Sequence, residues 1–140
     1  MTKKRPLIEP LIQFDRQCEA AIELYKQAFK AEVEVLMRFG DNKSEEWKLA
    51  NPEKHNYIYH ARIKIGENRV LLCDNFFHDL PSGHTTYLVV QFETAEEVDQ
   101  AYNVLSDGAT IINPLGSATF SARTVELVDK FGVFWGLMVG

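Results

Sequence analysis

Val89-Val90-Gln91-Phe92-Glu93-Thr94-Ala95-Glu96-Glu97-Val98-Asp99-Gln100-Ala101-Tyr102 decides the fold, because an earlier stretch follows the same plan. Leu11-Ile12-Gln13-Phe14 leads into Cys18-Glu19-Ala20-Ala21-Ile22-Glu23-Leu24-Tyr25. In both, an apolar strand ending in Gln-Phe runs into a short amphipathic helix that carries a Tyr. Further strand-like segments follow each helix. Two copies of one strand-helix-strands unit predict a small pseudo-symmetric domain with a cavity between its halves.

Periodicity fills in the elements. Strands are predicted at 7–14, 32–39, 56–65, 69–74, 85–92, 110–113, 120–128 and 133–139, where apolar residues alternate or run between turn residues. The first helix, 18–30, places Ala21, Ile22, Tyr25, Ala28 and Phe29 on one stripe. The second opens on a capping box, Thr94 with Glu97, buries Val98, Ala101, Tyr102 and Leu105, and stops at Gly108. Gly66-Glu67-Asn68 and Asp129-Lys130-Phe131-Gly132 are turns. So is Pro114-Leu115-Gly116. The order β-α-β-β-β, twice, predicts an α+β domain with helices on one face of mostly antiparallel sheet. Module one covers about 7–76 and module two about 85–140, joined by a connector at 76–84.

Residues 41–56 form the one polar, interrupted stretch. Ser44-Glu45-Glu46-Trp47 opens a short helix that Asn51-Pro52 closes. A loop of this length is often a lid or a mobile insertion; Trp47 either covers a pocket or pins the loop to the surface.

The composition bounds the function. At 140 residues the chain is read as one domain, and 46% hydrophobic with 25% charged residues is ordinary for a globular protein. The formal charge of −5 argues against a nucleic-acid partner. The basic run Thr2-Lys3-Lys4-Arg5 meets Pro6 rather than a long apolar stretch, so neither a secretory signal nor a membrane span is expected. Two cysteines, Cys18 and Cys73, form no CxxC pair, and a cytoplasmic location is expected. Cys18 lies near a helix N-terminus, which can activate a thiol, but a structural role is the stronger reading.

The chain resembles the PhnB-like branch of the glyoxalase and bleomycin-resistance superfamily, the vicinal oxygen chelate fold. The resemblance rests on Cys18-Glu19-Ala20-Ala21-Ile22 with Tyr25 and Phe29, and on His60-Ala61 and Leu71-Leu72-Cys73-Asp74. It continues through Asn113-Pro114-Leu115, Thr119-Phe120 and Asp129-Lys130-Phe131-Gly132-Val133-Phe134-Trp135. It implies two βαβββ modules in a cupped, mostly antiparallel eight-stranded sheet, helices outside, around a cleft, and usually a homodimer. Metalloenzymes of the superfamily hold a divalent ion with four side chains from the first and last strands of each module. Those positions fall near Pro10 or Leu11, near Leu72, at about Tyr87 and at about Gly136. Leu11, Leu72, Leu88, Trp135, Gly136 and Leu137 offer no ligand atom, with Gln13 and Asp74 the nearest candidates in module one. No metal and no cofactor is therefore predicted.

His60 is the leading candidate for chemistry. Ile58, His60, Arg62 and Lys64 share one strand face, opposite Ala61, Ile63 and Ile65. There His60 would act as acid or base and Arg62 would meet an anion; the alternative is a His bonded within the sheet and an Arg at its rim. Asp74 is a second catalytic candidate, or a turn cap. His55, His78 and His84 are spaced too irregularly for zinc. Tyr87, Phe120 and Trp135 are candidates to line an apolar pocket. Arg123 would answer a ligand's anionic group or pair with Glu126. The family pattern has Trp after Thr-Phe; here Ser121 follows Phe120, which predicts a roomier or more polar pocket. No glycine-rich strand-to-helix turn is present to hold S-adenosylmethionine or a phosphate. The expected function is metal-independent binding of a small molecule. The alternatives are a glyoxalase-like, lyase-like or dioxygenase-like enzyme on a small oxygenated substrate, with a weakly bound divalent metal, and an interaction module acting as a dimer.

Overall fold

The computed structural model describes residues 5–75, 79, 81 and 83–140. Residues 2–4 of the N-terminal basic run, Phe76 and His78 lie outside the described residues. The fold is α+β; the described residues form eight strands in two four-stranded mixed sheets and three α-helices. The strands are β1 (Leu11–Phe14), β2 (Glu32–Arg38), β3 (Ile58–Ile65), β4 (Asn68–Asp74), β5 (Leu88–Phe92), β6 (Thr110–Ala118), β7 (Ser121–Val128) and β8 (Phe134–Val139). The helices are α1 (Cys18–Phe29), α2 (Glu45–Ala50) and α3 (Ala95–Leu105). The order βαβββ, twice, is the one the repeat predicts. No helix among the described residues is long and apolar enough to cross a membrane.

The chain forms two compact units. One contains β1 to β4 with Cys18–Ile22; the other contains Glu23–Lys30 with β5 to β8 and α3. The sheets share a plan. The first runs β1-β4-β3-β2 and the second β5-β8-β7-β6. In each, the first strand pairs in parallel with the last, and the other pairs are antiparallel. Gln13-Phe14 and Gln91-Phe92 end β1 and β5, opposite Cys73-Asp74 and Met138-Val139. The sequence repeat is thus a repeat of strand register.

Burial follows the predicted stripes. Ala21, Ile22, Tyr25, Ala28 and Phe29 of α1 are buried, as are Val98, Ala101 and Leu105 of α3. Tyr102, expected with them, is half-buried. In the second unit, Tyr25 meets Trp135 edge-on with centroids 5.2 Å apart, and Phe29 lies 4.8 Å from the same ring. Val125, Leu127 and Leu137 complete this core, each such side chain contributing about 1.5–3 kcal/mol by leaving water. The caps work as read. Thr94 Oγ1 accepts the Glu97 N–H while Glu97 reaches back to the Thr94 N–H.

The polar stretch forms α2 as predicted, with Ser44 as N-cap accepting the Trp47 N–H. Its ends are clamped: the Phe39 N–H donates to Tyr57 O at 3.0 Å and the Gly40 N–H to His55 O at 2.9 Å. A Cβ on Gly40 would stand 2.6 Å from His55 Cβ, so the close approach requires glycine there. Lys43 Nζ sits 5.4 Å from the centroid of Trp47.

Two strand expectations need correction. Pro114-Leu115-Gly116 is not a turn; β6 runs through it, with register shifts around Asn113 and Gly116. Being the outer strand of its sheet, β6 tolerates a residue that lacks an N–H. Ile58 does not share a face with His60. Met37 faces His60 while Arg38 faces Ile58, so Tyr59 is an extra residue. This bulge returns Ile58 to the buried side, with Ala61 and Ile63.

Candidate functional site

In the second unit, strand alternation separates two faces. Trp135 and Leu127 face the core. Val89, Gly136, Met138, Thr124 and Glu126 line the opposite side, a cavity of about 550 Å³. Tyr87 precedes β5 along one wall; Asn113, Pro114, Ser117 and Ala118 of β6 form another. Phe120, in the two-residue turn between β6 and β7, is 70% exposed and forms part of the rim.

Glu126 is the polar centre of this wall. The Tyr87 hydroxyl donates to its Oε2 at 2.5 Å, and Asn113 Nδ2 donates to its Oε1. The carboxylate beside it raises the Tyr87 pKa, so the phenol keeps its proton and remains a donor. The Tyr87 ring stacks on Phe134, centroids 4.2 Å apart and planes 16° from parallel. It also lies over Gly136: a Cβ there would stand 3.2 Å from both Tyr87 Cε2 and Val89 Cγ2. Glycine at this point lets the tyrosine lie flat along the sheet and reach Glu126.

The other sequence-predicted residues occupy different places. Trp135 is buried, and its Nε1 donates to Asp129 Oδ2 at 2.9 Å. Arg123 pairs with Asp99 of α3 at 2.9 Å. It does not pair with Glu126, because residues three apart on a strand point to opposite faces. Ser121 is buried and does not line the cavity. Its hydroxyl lies 2.9 Å from the Arg123 and Val139 carbonyls and accepts the Val139 N–H at 3.1 Å. The expectation of a pocket made more polar by Ser121 is corrected: that hydroxyl joins β7 to β8.

In the first unit, His60 and Arg62 share the face of β3 opposite its buried residues, and both are half-buried. Arg62 Nε lies 3.6 Å from Glu9 Oε2, and neither atom has a hydrogen-bond partner. Asp74 is 4% exposed; its Oδ1 accepts the Cys18 N–H and its Oδ2 the Ile58 N–H, both at 2.9 Å. Burial pushes the Asp74 pKa up, against the pull of those two N–H groups. It joins the start of α1 to the start of β3. Burial, chiefly, and then the Asp74 charge raise the Cys18 thiol pKa, as a structural cysteine requires.

The sequence reading missed Asn113 and Glu126 as partners of Tyr87, and it missed Asp129. Asp129 is 3% exposed and accepts four hydrogen bonds: from Tyr25 Oη at 2.6 Å, Trp135 Nε1 at 2.9 Å, and the Phe131 and Val133 N–H groups at 2.9 and 3.1 Å. The pairing Tyr87–Glu126 follows from register, since Val89 and Glu126 both lie opposite Gly136. A linear sequence does not display it.

The positions that the superfamily uses for a metal do not fit one here. Leu72 is in the core, and the Tyr87 ring fills the space over Gly136. Among the described residues no three His, Cys, Asp or Glu side chains are grouped to hold an ion.

Comparison with known proteins places this arrangement in a family. The sequence profile described as 3-demethylubiquinone-9 3-methyltransferase matches residues 6–138. Among solved structures, a PhnB protein from Bacillus cereus bearing the same methyltransferase description is 27% identical. It superposes with a TM-score of 0.79 over 95% of this chain and 98% of that one. Protein PA1353 from Pseudomonas aeruginosa is 24% identical, with a TM-score of 0.80 over 94% and 96%. The fosfomycin resistance protein FosX from Mesorhizobium loti is 13% identical, with a TM-score of 0.64 over 99% and 94%, and shares the fold. Among curated proteins none matches. With a family profile covering nearly its whole length and these neighbours in its fold, the chain belongs to the PhnB-like family of the glyoxalase and bleomycin-resistance superfamily.

Proposed function

We propose that this protein binds a small organic molecule in the second-module cavity without help from a metal. The observation that carries this reading is the cavity of about 550 Å³, within the range of small-molecule sites. Its walls are mostly apolar, and a few polar groups converge at one point, where Tyr87 and Asn113 hold Glu126. An apolar body with one anchored polar end is the ligand shape that such a wall accepts.

Two other readings find less support. The family description names a methyl transfer, yet the turns leading into α1 (Asp15-Arg16-Gln17) and α3 (Glu93-Thr94) contain no glycine, and Thr94 and Glu97 close the N-terminus of α3. These turns do not fit a nucleoside cofactor. An enzyme built on His60 and Asp74 is not favoured, because both Asp74 oxygens already accept backbone N–H groups.

The test is thermal. A library of aromatic and amphipathic compounds, screened in the presence of a chelator, is expected to contain members that raise Tm. Phe120→Ala should weaken those shifts while leaving the unliganded Tm almost unchanged. A library that moves Tm nowhere overturns the reading. The homodimer and the cytoplasmic location belong to the same proposal, and sedimentation velocity at micromolar concentration checks the first.

A further inference from the structure

We propose that the ligand of the second-module cavity carries a cationic nitrogen, an ammonium or amidinium group, on an apolar or aromatic body, and that Glu126 receives that group. This rests on the cavity being a binding site, as argued above, and specifies what it takes.

Among the described residues that line the cavity, Glu126 is the one acidic side chain, and no Lys, Arg or His accompanies it. A carboxylate left alone in a mostly apolar wall repels an anion and attracts a cation. It is also held in position. Donors from two different segments, Tyr87 Oη just before β5 and Asn113 Nδ2 on β6, fix one oxygen each. Each oxygen has a second lone pair, so the group still accepts from a ligand N–H. Because both donors are neutral, the negative charge is left uncompensated. The first module differs at the equivalent point, where Arg62 already faces Glu9.

Aromatic rings supply a second, independent feature. Tyr87 forms a wall and Phe120 is an exposed ring at the rim. Ring faces attract cations and cover apolar stems, so both ends of an amine-bearing ligand find a partner. At longer range, the formal net charge of −5 favours approach of a cation over an anion.

Three matched probes separate this inference from the reading beneath it. Phenylbutylamine, phenylbutanol and phenylbutyrate share one apolar body and differ in a single terminal group. Isothermal titration of the full chain with each, in chelator and low salt, should rank amine above alcohol above carboxylate. The amine should bind about fivefold or more tighter than the alcohol, as a charge-assisted hydrogen bond allows. Salt should narrow that gap, because the site is open to solvent. Glu126→Gln removes the charge while keeping an acceptor for the Tyr87 hydroxyl, so it should abolish the preference for the amine over the alcohol. If the carboxylate binds as well as the amine, or if Glu126→Gln keeps the preference, the cationic class is overturned while the cavity remains a binding site. If none of the three binds at millimolar concentration, the binding reading fails and the inference with it.

Discussion

The two modules place a side-chain pair at the same point of the same sheet plan, each in its own sheet, and fill it with different chemistry. In the first, Leu11 and Arg62 both lie opposite Leu71, and Glu9 stands two residues before Leu11. In the second, Val89 and Glu126 both lie opposite Gly136, and Tyr87 stands two residues before Val89. Glu9 with Arg62 therefore corresponds to Tyr87 with Glu126. The first pair is a separated ion pair, 3.6 Å apart, whose charges cancel. The second is a short hydrogen bond from a neutral donor to a carboxylate that has no Lys, Arg or His beside it among the lining residues. The apex residue differs in step. Leu71 fills its own space, whereas Gly136 yields its space to the Tyr87 ring. One backbone plan thus yields a neutralised surface in one copy and a charged, ring-lined cavity in the other.

The largest effect that would break this comparison is expected at the buried aspartates that support each module. Asp129→Ala strands the Tyr25 hydroxyl, the Trp135 indole and two backbone N–H groups. It should cost about 4 kcal/mol in chemical denaturation, enough to threaten folding of the second module. Asp74→Ala strands only two backbone N–H groups and should cost about 2 kcal/mol by the same measurement. A larger loss at Asp74 than at Asp129 would reverse the proposed ranking of the two supports.

Asp74 also carries a pH signature. Its folded pKa lies above the ordinary carboxylate value because burial opposes its charge. The folded state therefore holds the proton more tightly than the unfolded chain. The resulting stabilisation is fully present below the unfolded pKa and is lost as pH rises through the folded one. Relative to Asp74→Asn, the natural protein should gain stability as pH falls from neutral toward the carboxylate range. Parallel stability profiles for the two proteins would contradict this.

Smaller changes sharpen the contrast at the sheet faces. Gly136→Ala forces Tyr87 and Val89 to give way by a few tenths of an ångström, and should cost about 1 kcal/mol. It should also weaken probe binding, because the ring that positions Glu126 is displaced. Arg62→Ala should change stability by less than about 1 kcal/mol, since its ion pair is long and partly exposed. It should leave probe binding in the second module unaltered, and a loss of binding there would move the site.

The fold was legible because its signals are local and repeated. Gln-Phe before each helix, the stripe of Tyr25 and Phe29, and the Thr94–Glu97 box each declare an element within a few residues. Pro114 misled because its tolerance depends on β6 lying at the sheet edge, which a single stretch does not reveal. Tyr59 misled because a bulge reverses alternation without changing composition. Tyr87 and Phe120 were named as pocket residues from their aromatic character. Glu126 was not singled out, since its partners lie 39 and 13 residues away and only strand register unites them. Asp129 was read as a turn residue. The turn is real, but its carboxylate reaches back to Tyr25, 104 residues earlier.

The second module's sheet face, and not the first's, is proposed to receive an amine-bearing ligand. Amide chemical-shift mapping by NMR with phenylbutylamine tests it most directly. Shifts are expected at Tyr87, Val89, Phe120, Glu126 and Gly136, with Leu11, His60, Arg62 and Leu71 unmoved. Shifts centred on His60 and Arg62, with Glu126 and Gly136 silent, would contradict it.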